Sequence, residues 1–449
     1  MKLAPVFRGR HNVAVLPRKD DGSSPGAHRR PTPRPKLFLH AAICLLCASS
    51  ACASTPSKPA SQRANPLFVA PQTYDFTSNP ALLARILKSP HGYFRFVNRP
   101  FSEAVCRAGM PTIAPRVNLH GDAHVEQYAV TDLGRGLTDF DDATTGPATI
   151  DLMRFGVSLM LTTEARGWSA YEDRLLTRFL KGYRRALRVP KTEAPVPAVA
   201  RRIRDGFKKD RAAYFEGLNA MTQPMPIEER AALQKAFVPY ARSMQMQSPE
   251  LRAEFFDIVQ TRRLSLGIGS ALDDKFLVRV AGDTDDPLDD VVLEVKEIRD
   301  LSGISCINAT TSQDPFRVLV GQSRIAYRPH RFLGYIRLER RIFWIHAWVD
   351  NYREFKLDRT ARTPEELAEV VYDVGIQMGR GHPNQIAAPF DRQLRDALIQ
   401  MLDGCESDLR TAIKRFTRDL KAAWRRFKSE AKITPKDGRP SPTSLRPLD

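Results

Sequence analysis

The residues with the clearest chemical potential lie in two short polar segments. Residues 120–127 read HGDAHVEQ and contain Asp122, and residues 138–143 read TDFDDA and contain Asp139 and Asp141. Each segment follows a short apolar run, which predicts carboxylates at the ends of strands. Asp139 and Asp141 alternate along a chain that we expect to be extended, so their side chains would face the same way. Paired carboxylates are typical of Mg²⁺ bound to phosphates.

Two further segments could bind a phosphate group. Gly267, Gly269 and Ser270 precede a predicted strand at Phe276–Val280, and glycines there would let backbone amides approach an anion. Lys296 lies at the end of another apolar run and could neutralise phosphate charge. A lone Gly-x-Gly is usually only a turn and a lone lysine usually lies on the surface. Together with the acidic segments, however, they are the parts required for phosphoryl transfer.

The elements that must position these residues follow from hydrophobic periodicity. Strands at Val117–His120 and Leu137–Phe140 would carry the acidic segments, and helices are predicted at Asp151–Glu164, Tyr171–Leu187 and beyond Thr363. Between about residues 260 and 350 the chain is rich in β-branched residues. The strands and the one helix predicted there are Phe276–Val280, Val291–Val295, Phe316–Tyr327 (the helix), Gly334–Leu338 and Ile342–Val349.

The order of these motifs resembles known families. HGDAHVEQ, then DFDDA, then Asp151-Leu152 is similar to the catalytic core of aminoglycoside-phosphotransferase-like kinases. Residues 85–385 more closely resemble a bacterial family known as domain of unknown function 2252. The segments that carry this likeness, besides the two acidic motifs, are SPHGYFR (89–95), GIGS (267–270), DP (286–287), EVKE (294–297), GQ (321–322) and FLG (332–334).

The resemblance implies an α+β, two-lobed, protein-kinase-like fold that is circularly permuted. The helical large lobe would come first and the β-rich small lobe after it, because Lys296 follows Asp122 and Asp139 in the chain. The expected organisation is a basic leader with signal peptide (1–53), a tether (54–65), the large lobe (66–255), the small lobe (256–350), a helical completion of the large lobe (351–435) and a loose tail (436–449).

The implied function is Mg-ATP-dependent transfer of phosphate to a hydroxyl acceptor, which the sequence does not name. By resemblance, Asp122 would accept or orient the proton of the acceptor hydroxyl, and Asp139 would bind Mg²⁺ with help from Gln127 and Asp141. His120 and Asp151 would brace the catalytic loop. The residues expected to contact the nucleotide are Gly267, Gly269, Ser270 and Lys296.

Three departures from the family pattern put turnover in question. Gln127 replaces an asparagine, and Leu272 replaces a third glycine. Val320 stands where a helix glutamate should pair with Lys296, and the nearby Gln322 is a neutral substitute. These departures favour an alternative, a non-catalytic kinase-like nucleotide-binding module.

Composition limits the class of protein. Hydrophobic residues are 42% and charged residues 27%, which is ordinary globular usage and argues against a disordered or fibrous chain. No apolar run reaches the ~20 residues of a membrane-spanning helix, so a polytopic membrane protein is excluded.

The formal net charge is +18. This charge suits anionic partners, but the basic runs lack a nucleic-acid signature and are expected to be solvated helix faces, so no nucleic-acid partner is predicted.

The first 53 residues are typical of an export signal. The apolar run at 37–48 has the length of a signal-peptide core and is followed by small residues. Cleavage after Ala53 and lipidation of Cys52 both fit, so we expect a periplasmic protein or a membrane-tethered lipoprotein. If the leader has been misinterpreted, the protein is cytoplasmic. Export conflicts with ATP as donor, because ATP is scarce outside the cytoplasm.

Two further expectations follow from the residues. Cys106, Cys306 and Cys405 match no zinc pattern and are expected to be buried thiols, with one disulfide bond as the alternative. A metal-dependent hydrolase remains the competing enzyme class. Its ligands would be His120, Asp122, His124 and Asp139.

Overall fold

The computed structural model describes residues 65–77, 79–108, 114–264, 273–308 and 313–433. Several predictions concern residues outside these ranges. They are the leader with Cys52 and Ala53, the tether up to residue 64, the tail, and Gly267, Gly269, Ser270 and Leu272 of the predicted glycine turn.

The expected mixed α+β class is confirmed. The helices are α1 (Pro80–Lys88), α2 (Pro90–Phe96), α3 (Asn98–Arg107), α4 (Thr149–Ala165), α5 (Glu172–Arg188), α6 (Ala198–Asp205), α7 (Arg211–Met221), α8 (Ile227–Gln247), α9 (Pro315–Ile325), α10 (Pro364–Gly381) and α11 (Phe390–Ile433). The strands are β1 (Arg116–Leu119), β2 (Tyr128–Thr131), β3 (Arg135–Leu137), β4 (Thr144–Pro147), β5 (Thr222–Pro224), β6 (Ile258–Leu264), β7 (Lys275–Val280), β8 (Val291–Glu297), β9 (Gly334–Leu338), β10 (Arg341–Ala347) and β11 (Tyr352–Glu354).

The largest hydrophobic core joins helices from both ends of the described chain. It combines α1 to α6 with α10 and α11 around α4, which is buried along nearly its whole length. The helices predicted at Tyr171–Leu187 and beyond Thr363 are confirmed, and α5 and α11 each pack an apolar stripe into this core. The buried residues of these stripes are Leu175, Leu176, Phe179, Leu180, Tyr183 and Leu187 in α5, and Leu409, Ile413, Phe416, Leu420, Ala423 and Phe427 in α11.

A second core lies on one face of an antiparallel sheet with the strand order β5-β6-β7-β8-β10-β9. Leu293 and Val295 of β8 point into this core, where α8 covers the sheet through Phe237 and Tyr240. Because side chains alternate along a strand, Glu294 and Lys296 point to the opposite face. That opposite face is the floor of the candidate site.

Two small ladders carry the acidic segments. β1 pairs with β4, and β11, β2 and β3 form a second sheet. The predicted strand Leu137–Phe140 was wrong beyond Leu137, because Asp139 has a φ of 61° and the chain turns there. Asp139 and Asp141 therefore do not alternate along an extended strand, but lie in a loop between β3 and β4.

The helix α9 lies between the sheet and the helical part and packs against β10, β1, β4 and α10. Its start is fixed by Pro315 in the first turn and by Asp314, whose side chain accepts a hydrogen bond of 2.9 Å from Phe316 N. The close packing of α9 needs Gly321, because a Cβ there would lie 2.3 Å from the Cβ of Ala143. Helix α9 is thereby held directly against the acidic loop.

The expectation of unpaired thiols was wrong for Cys106 and Cys306. Cys106, in α3, forms a disulfide with Cys306, in the segment between β8 and α9, 200 residues further along the chain. Spacing could not reveal this pair, because the two residues meet only after the sheet has folded back onto the helical part. In the part of the chain that the structure describes, no helix is long and apolar enough to cross a bilayer.

Candidate active site

A cleft of about 160 Å³ lies between the polar face of the six-stranded sheet and the loops that follow β1 and β3. The structure brings predicted site residues from four separate parts of the chain to its walls. These residues are Asp122, Gln127, Asp139, Lys296 and Gln322.

Lys296 is the centre of this cleft. Its Nζ lies 2.7 Å from Asp139 Oδ1 and 2.6 Å from Asp141 Oδ2. Asp141 is buried beneath the cleft and its Oδ1 accepts a hydrogen bond of 3.0 Å from Trp344 Nε1. The acidic loop therefore supplies two carboxylates to one ammonium group.

These contacts separate the pKa values of the two carboxyl groups. Burial raises the pKa of Asp139, but the Lys296 ammonium and the Arg299 guanidinium outweigh it and hold that pKa well below its usual range. Burial and the adjacent Asp139 carboxylate raise the pKa of Asp141 to about 7. Near neutral pH Asp139 is thus ionised, and Asp141 is the carboxyl group that takes up a proton first.

The carboxylate partners of Lys296 do not come from helix α9, where the sequence places Val320 instead of a glutamate. Helix α9 does carry Val320 and Gln322 at the expected place, and Gln322 lines the cleft with its Oε1 buried and without a hydrogen-bond partner. The carboxylates that hold Lys296 instead come from Asp139 and Asp141. The lysine needs no glutamate from the helix.

Arg299 and Arg317 fix the acidic loop, and the sequence analysis missed both. Arg299 forms ion pairs with Asp142 and with Asp273, the latter at 3.0 Å. Arg317 of α9 donates to the backbone carbonyl of Asp141 and, at 2.6 Å, to that of Arg299. The segment EVKEIR, in which Arg299 follows Lys296 by three residues, was the available signal.

Asp122 is oriented by a fully buried arginine. Its Oδ1 accepts a hydrogen bond of 2.7 Å from Arg154 Nε and lies 2.6 Å from Nη2 in the same ion pair. The guanidinium lies 3.9 Å from the ring centre of Phe94. Burial outweighs the attraction of Arg154 and raises the pKa of Asp122. A charged residue inside the apolar helix α4 was the sequence signal for a buried ion pair.

The loop that presents Asp122 is anchored from behind by Asp151. The Asp151 carboxylate accepts hydrogen bonds from His120 N at 2.7 Å and Gly121 N at 2.9 Å, and His382 Nε2 lies 3.2 Å from it. Gly121 has a φ of 80°, and a Cβ there would lie 1.9 Å from the carbonyl oxygen of Asp142. His120 and Asp151 therefore lie behind the loop and not in the cleft.

The donor set near Asp139 fits Mg²⁺ that arrives with a phosphate ligand. Gln127 Nε2 donates to Asp139 Oδ2 at 3.1 Å, and the Asp139 side chain is 29% exposed toward the cleft. Among the described residues, no three His, Cys, Asp or Glu side chains form a metal-binding group. Mg²⁺ needs only one or two protein carboxylates when phosphate oxygens and water complete its shell, so Asp139 and Gln127 suffice.

The residues of the competing hydrolase are not arranged as a metal site. The His120 ring is engaged with the Thr138 carbonyl through Nε2, at 2.9 Å. His124 is fully buried, and its Nε2 lies 3.8 Å from Asp122 Oδ2. This geometry does not favour the hydrolase.

Comparison with known proteins gives one match. A sequence model of the family described as "Uncharacterized protein conserved in bacteria (DUF2252)" matches residues 79–212 and 197–430. No curated protein and no solved structure matches the chain. The matched residues include every described residue of the cleft.

Proposed function

We propose that the chain, which belongs to the bacterial family DUF2252, is a kinase-like phosphotransferase that uses Mg-ATP and a hydroxyl acceptor. The observation that carries this proposal is that the side chains of Lys296, Asp139 and Asp122 line one cleft. Lys296 contacts Asp139 at 2.7 Å, and Asp122 lines the same cleft. A phosphate-binding lysine, a metal-binding aspartate and a base-like aspartate are the groups on which phosphoryl transfer depends.

The arrangement of elements supports a permuted kinase-like architecture as part of this proposal. The loops with Asp122 and Asp139 precede the sheet in the chain, whereas the strand with Lys296 follows them. Helix α9 comes between β8 and the β9–β10 hairpin and packs on the acidic loop. Geometry and not chain order makes a catalytic site, so the permutation is compatible with activity.

In the proposed reaction, the acceptor oxygen forms a bond to the γ-phosphorus while the bond from that phosphorus to the β,γ-bridging oxygen breaks. The hydroxyl proton passes to Asp122, whose raised pKa suits a general base. Lys296 binds the phosphates, and ADP leaves with the bridging oxygen. Arg154 holds the Asp122 carboxylate in place, so that its Oδ2 is the oxygen left for the acceptor.

Mg²⁺ would be held by Asp139 and Gln127. When bound, it would neutralise the charge of the phosphate oxygens. Asp139 now contacts Lys296, so a bound metal would share this carboxylate with the ammonium group. The ion pairs of Arg299 with Asp142 and Asp273 would hold the loop that carries Asp139.

The disulfide supports the export predicted from the leader. Disulfides persist mainly in oxidising compartments such as the periplasm, and Cys106 and Cys306 form one. We therefore propose an exported location, and because ATP is scarce outside the cytoplasm, the location is tested separately from the donor. Alkaline phosphatase fused after residue 65 should be active in cells, and an inactive fusion of normal abundance would contradict export.

The proposal is tested by calorimetric titration of the full-length protein with ATP, with and without Mg²⁺. The wild-type protein should bind ATP with Mg²⁺. Lys296→Met should weaken binding by roughly 10-fold or more, since a hydrogen bond to a charged group contributes about 1.5–3 kcal/mol. Lys235→Met is the matched control, because Lys235 is an exposed lysine of α8. Folded wild-type protein that binds no nucleotide would contradict the proposal.

A nucleotide-binding module without turnover is the second candidate. It is favoured by the buried ion pair between Asp122 and Arg154, which already engages Asp122 Oδ1 through a hydrogen bond of 2.7 Å from Arg154 Nε. Exchange of ¹⁸O between bridging and non-bridging positions of the β,γ-phosphates separates the two candidates. Exchange that depends on Asp122 supports the enzyme, and binding without exchange supports the module.

A further inference from the structure

A second lysine lies beside Lys296 on the floor of the cleft. In the pairing of β7 with β8, Lys275 is directly opposite Lys296, and in the pairing of β8 with β10, Trp344 is directly opposite Lys296. Residues directly opposite each other on neighbouring strands point to the same face of the sheet. Lys275 accordingly lines the cleft with Lys296.

This placement concentrates two positive charges on one face of the sheet, where the carboxylates of Glu294, Asp141 and Asp139 also attract Lys275. Like charges directly opposite each other on neighbouring strands repel, and both lysines are buried, with 4% of Lys275 and 7% of Lys296 exposed. Burial, and after it the Lys296 ammonium, lower the pKa of Lys275 to about 8. The carboxylates of Asp139 and Asp141 contact Lys296. An anion that enters the cleft would reduce the repulsion between the two ammonium groups.

The spacing of the strands favours one kind of anion. Neighbouring strands are about 4.8 Å apart, so the two ammonium groups can reach oxygens on different phosphates of one chain. A single carboxylate is too small to serve both lysines and a metal ion at Asp139. A phosphate chain offers enough oxygens for all three.

We infer that Lys275 is a second phosphate-binding residue, which together with Lys296 binds the phosphate chain of the donor. This inference rests on the proposed function, since it names a further contact in the same site. It assigns to β7 a role in ligand binding that no motif indicated. Lys275 should contact phosphates and not the nucleoside.

The test is the affinity of full-length protein for two probes in the presence of Mg²⁺, ATP and inorganic triphosphate. Lys275→Met keeps most of the apolar stem and removes the charge. We expect it to weaken the binding of both probes by the same factor, roughly 10-fold or more. Arg337→Met is the control, because it removes an exposed cation from β9 of the same sheet. It should leave both affinities unchanged.

The outcomes separate this inference from the proposed function. If wild-type protein binds neither probe, the proposed function fails and this inference falls with it. If wild-type protein binds both probes and Lys275→Met binds them equally well, this inference alone is overturned. A loss for ATP without a loss for triphosphate also overturns it, because the lysine would then contact the nucleoside. Should the methionine variant not fold, Lys275→Gln gives the same comparison.

Discussion

At the scale of single residues, the site depends on charges that are buried in pairs. Asp139 adopts a φ of 61°, a conformation that Asp and Asn tolerate better than most residues. The motifs indicated Asp122, Asp139 and Lys296 before the structure was known. Their partners Arg154 and Arg299 were not predicted, because local spacing carries no information about an ion pair such as Arg299–Asp142, whose members lie 157 residues apart.

The Asp122–Arg154 pair yields a prediction about stability. Asp122→Asn should lower the free energy of unfolding by roughly 3 kcal/mol, because it leaves the guanidinium of Arg154 buried without its counter-charge. Urea unfolding measures this effect. The double variant with Arg154→Met should recover part of the loss, since no buried charge then remains. Equal midpoints for wild type and Asp122→Asn would contradict the assignment.

Lys275 yields a prediction about pH. Its pKa is lowered to about 8 from 10.5, so between these values the folded protein binds fewer protons than the unfolded chain. The contribution of Lys275 to the free energy of unfolding therefore rises with pH between about 8 and 10.5. Lys275→Met should be more stable than wild type at pH 7, by roughly 1–3 kcal/mol, and the difference should shrink toward pH 10. A difference independent of pH would show that Lys275 is not perturbed.

At the scale of elements, α9 links the sheet to the acidic loop. It meets Ala143 through Gly321 and the backbone of Asp141 through Arg317. Periodicity predicted α9, α5 and the helices beyond Thr363 well, because amphipathic helices repeat their signal over several turns. The turn at Asp139 was not predicted, because the apolar residue Phe140 next to it continues a sequence pattern that is typical of a strand.

Gly321→Ala tests the contact between α9 and the acidic loop. The new Cβ would lie 2.3 Å from the Cβ of Ala143, so α9 must move away from the loop. We expect a loss of about 1–3 kcal/mol in the free energy of unfolding, together with weaker ATP binding. Gly217→Ala in α7 is the control, because its Cβ would have nothing within 4 Å. It should stabilise the protein by up to about 1 kcal/mol.

At the scale of the whole molecule, the cleft lies between a mainly helical part and the polar face of the sheet, and each of these has its own hydrophobic core. One core is mainly helical and the other covers one face of the sheet. The Cys106–Cys306 disulfide ties the segment after β8 to α3 of the helical core. The α+β class could be predicted from the sequence because it depends on local patterns. The disulfide could not, because it depends on how the sheet returns to the helices.

The disulfide predicts how the free energies of unfolding of the single and double cysteine variants should compare. Removing the disulfide should lower the free energy of unfolding by roughly 2–4 kcal/mol, because the bond closes a long loop in the unfolded chain. Cys106→Ser, Cys306→Ser and the double variant should all lose about the same amount in urea unfolding without reductant, because each breaks the same bond. Losses in the single variants that add up in the double variant would show that the cysteines act independently.

The most direct test of the central claim is a crystal structure of the full-length protein with Mn²⁺ and a non-hydrolysable ATP analogue. The account predicts an anomalous peak for the metal at Asp139 and phosphate oxygens within hydrogen-bond distance of Lys296. It also predicts that Asp122 faces the γ-phosphate from the opposite side of the cleft. A nucleotide bound elsewhere, or a cleft in which Lys296 contacts only Asp139 and Asp141 at saturating ligand, would contradict the account.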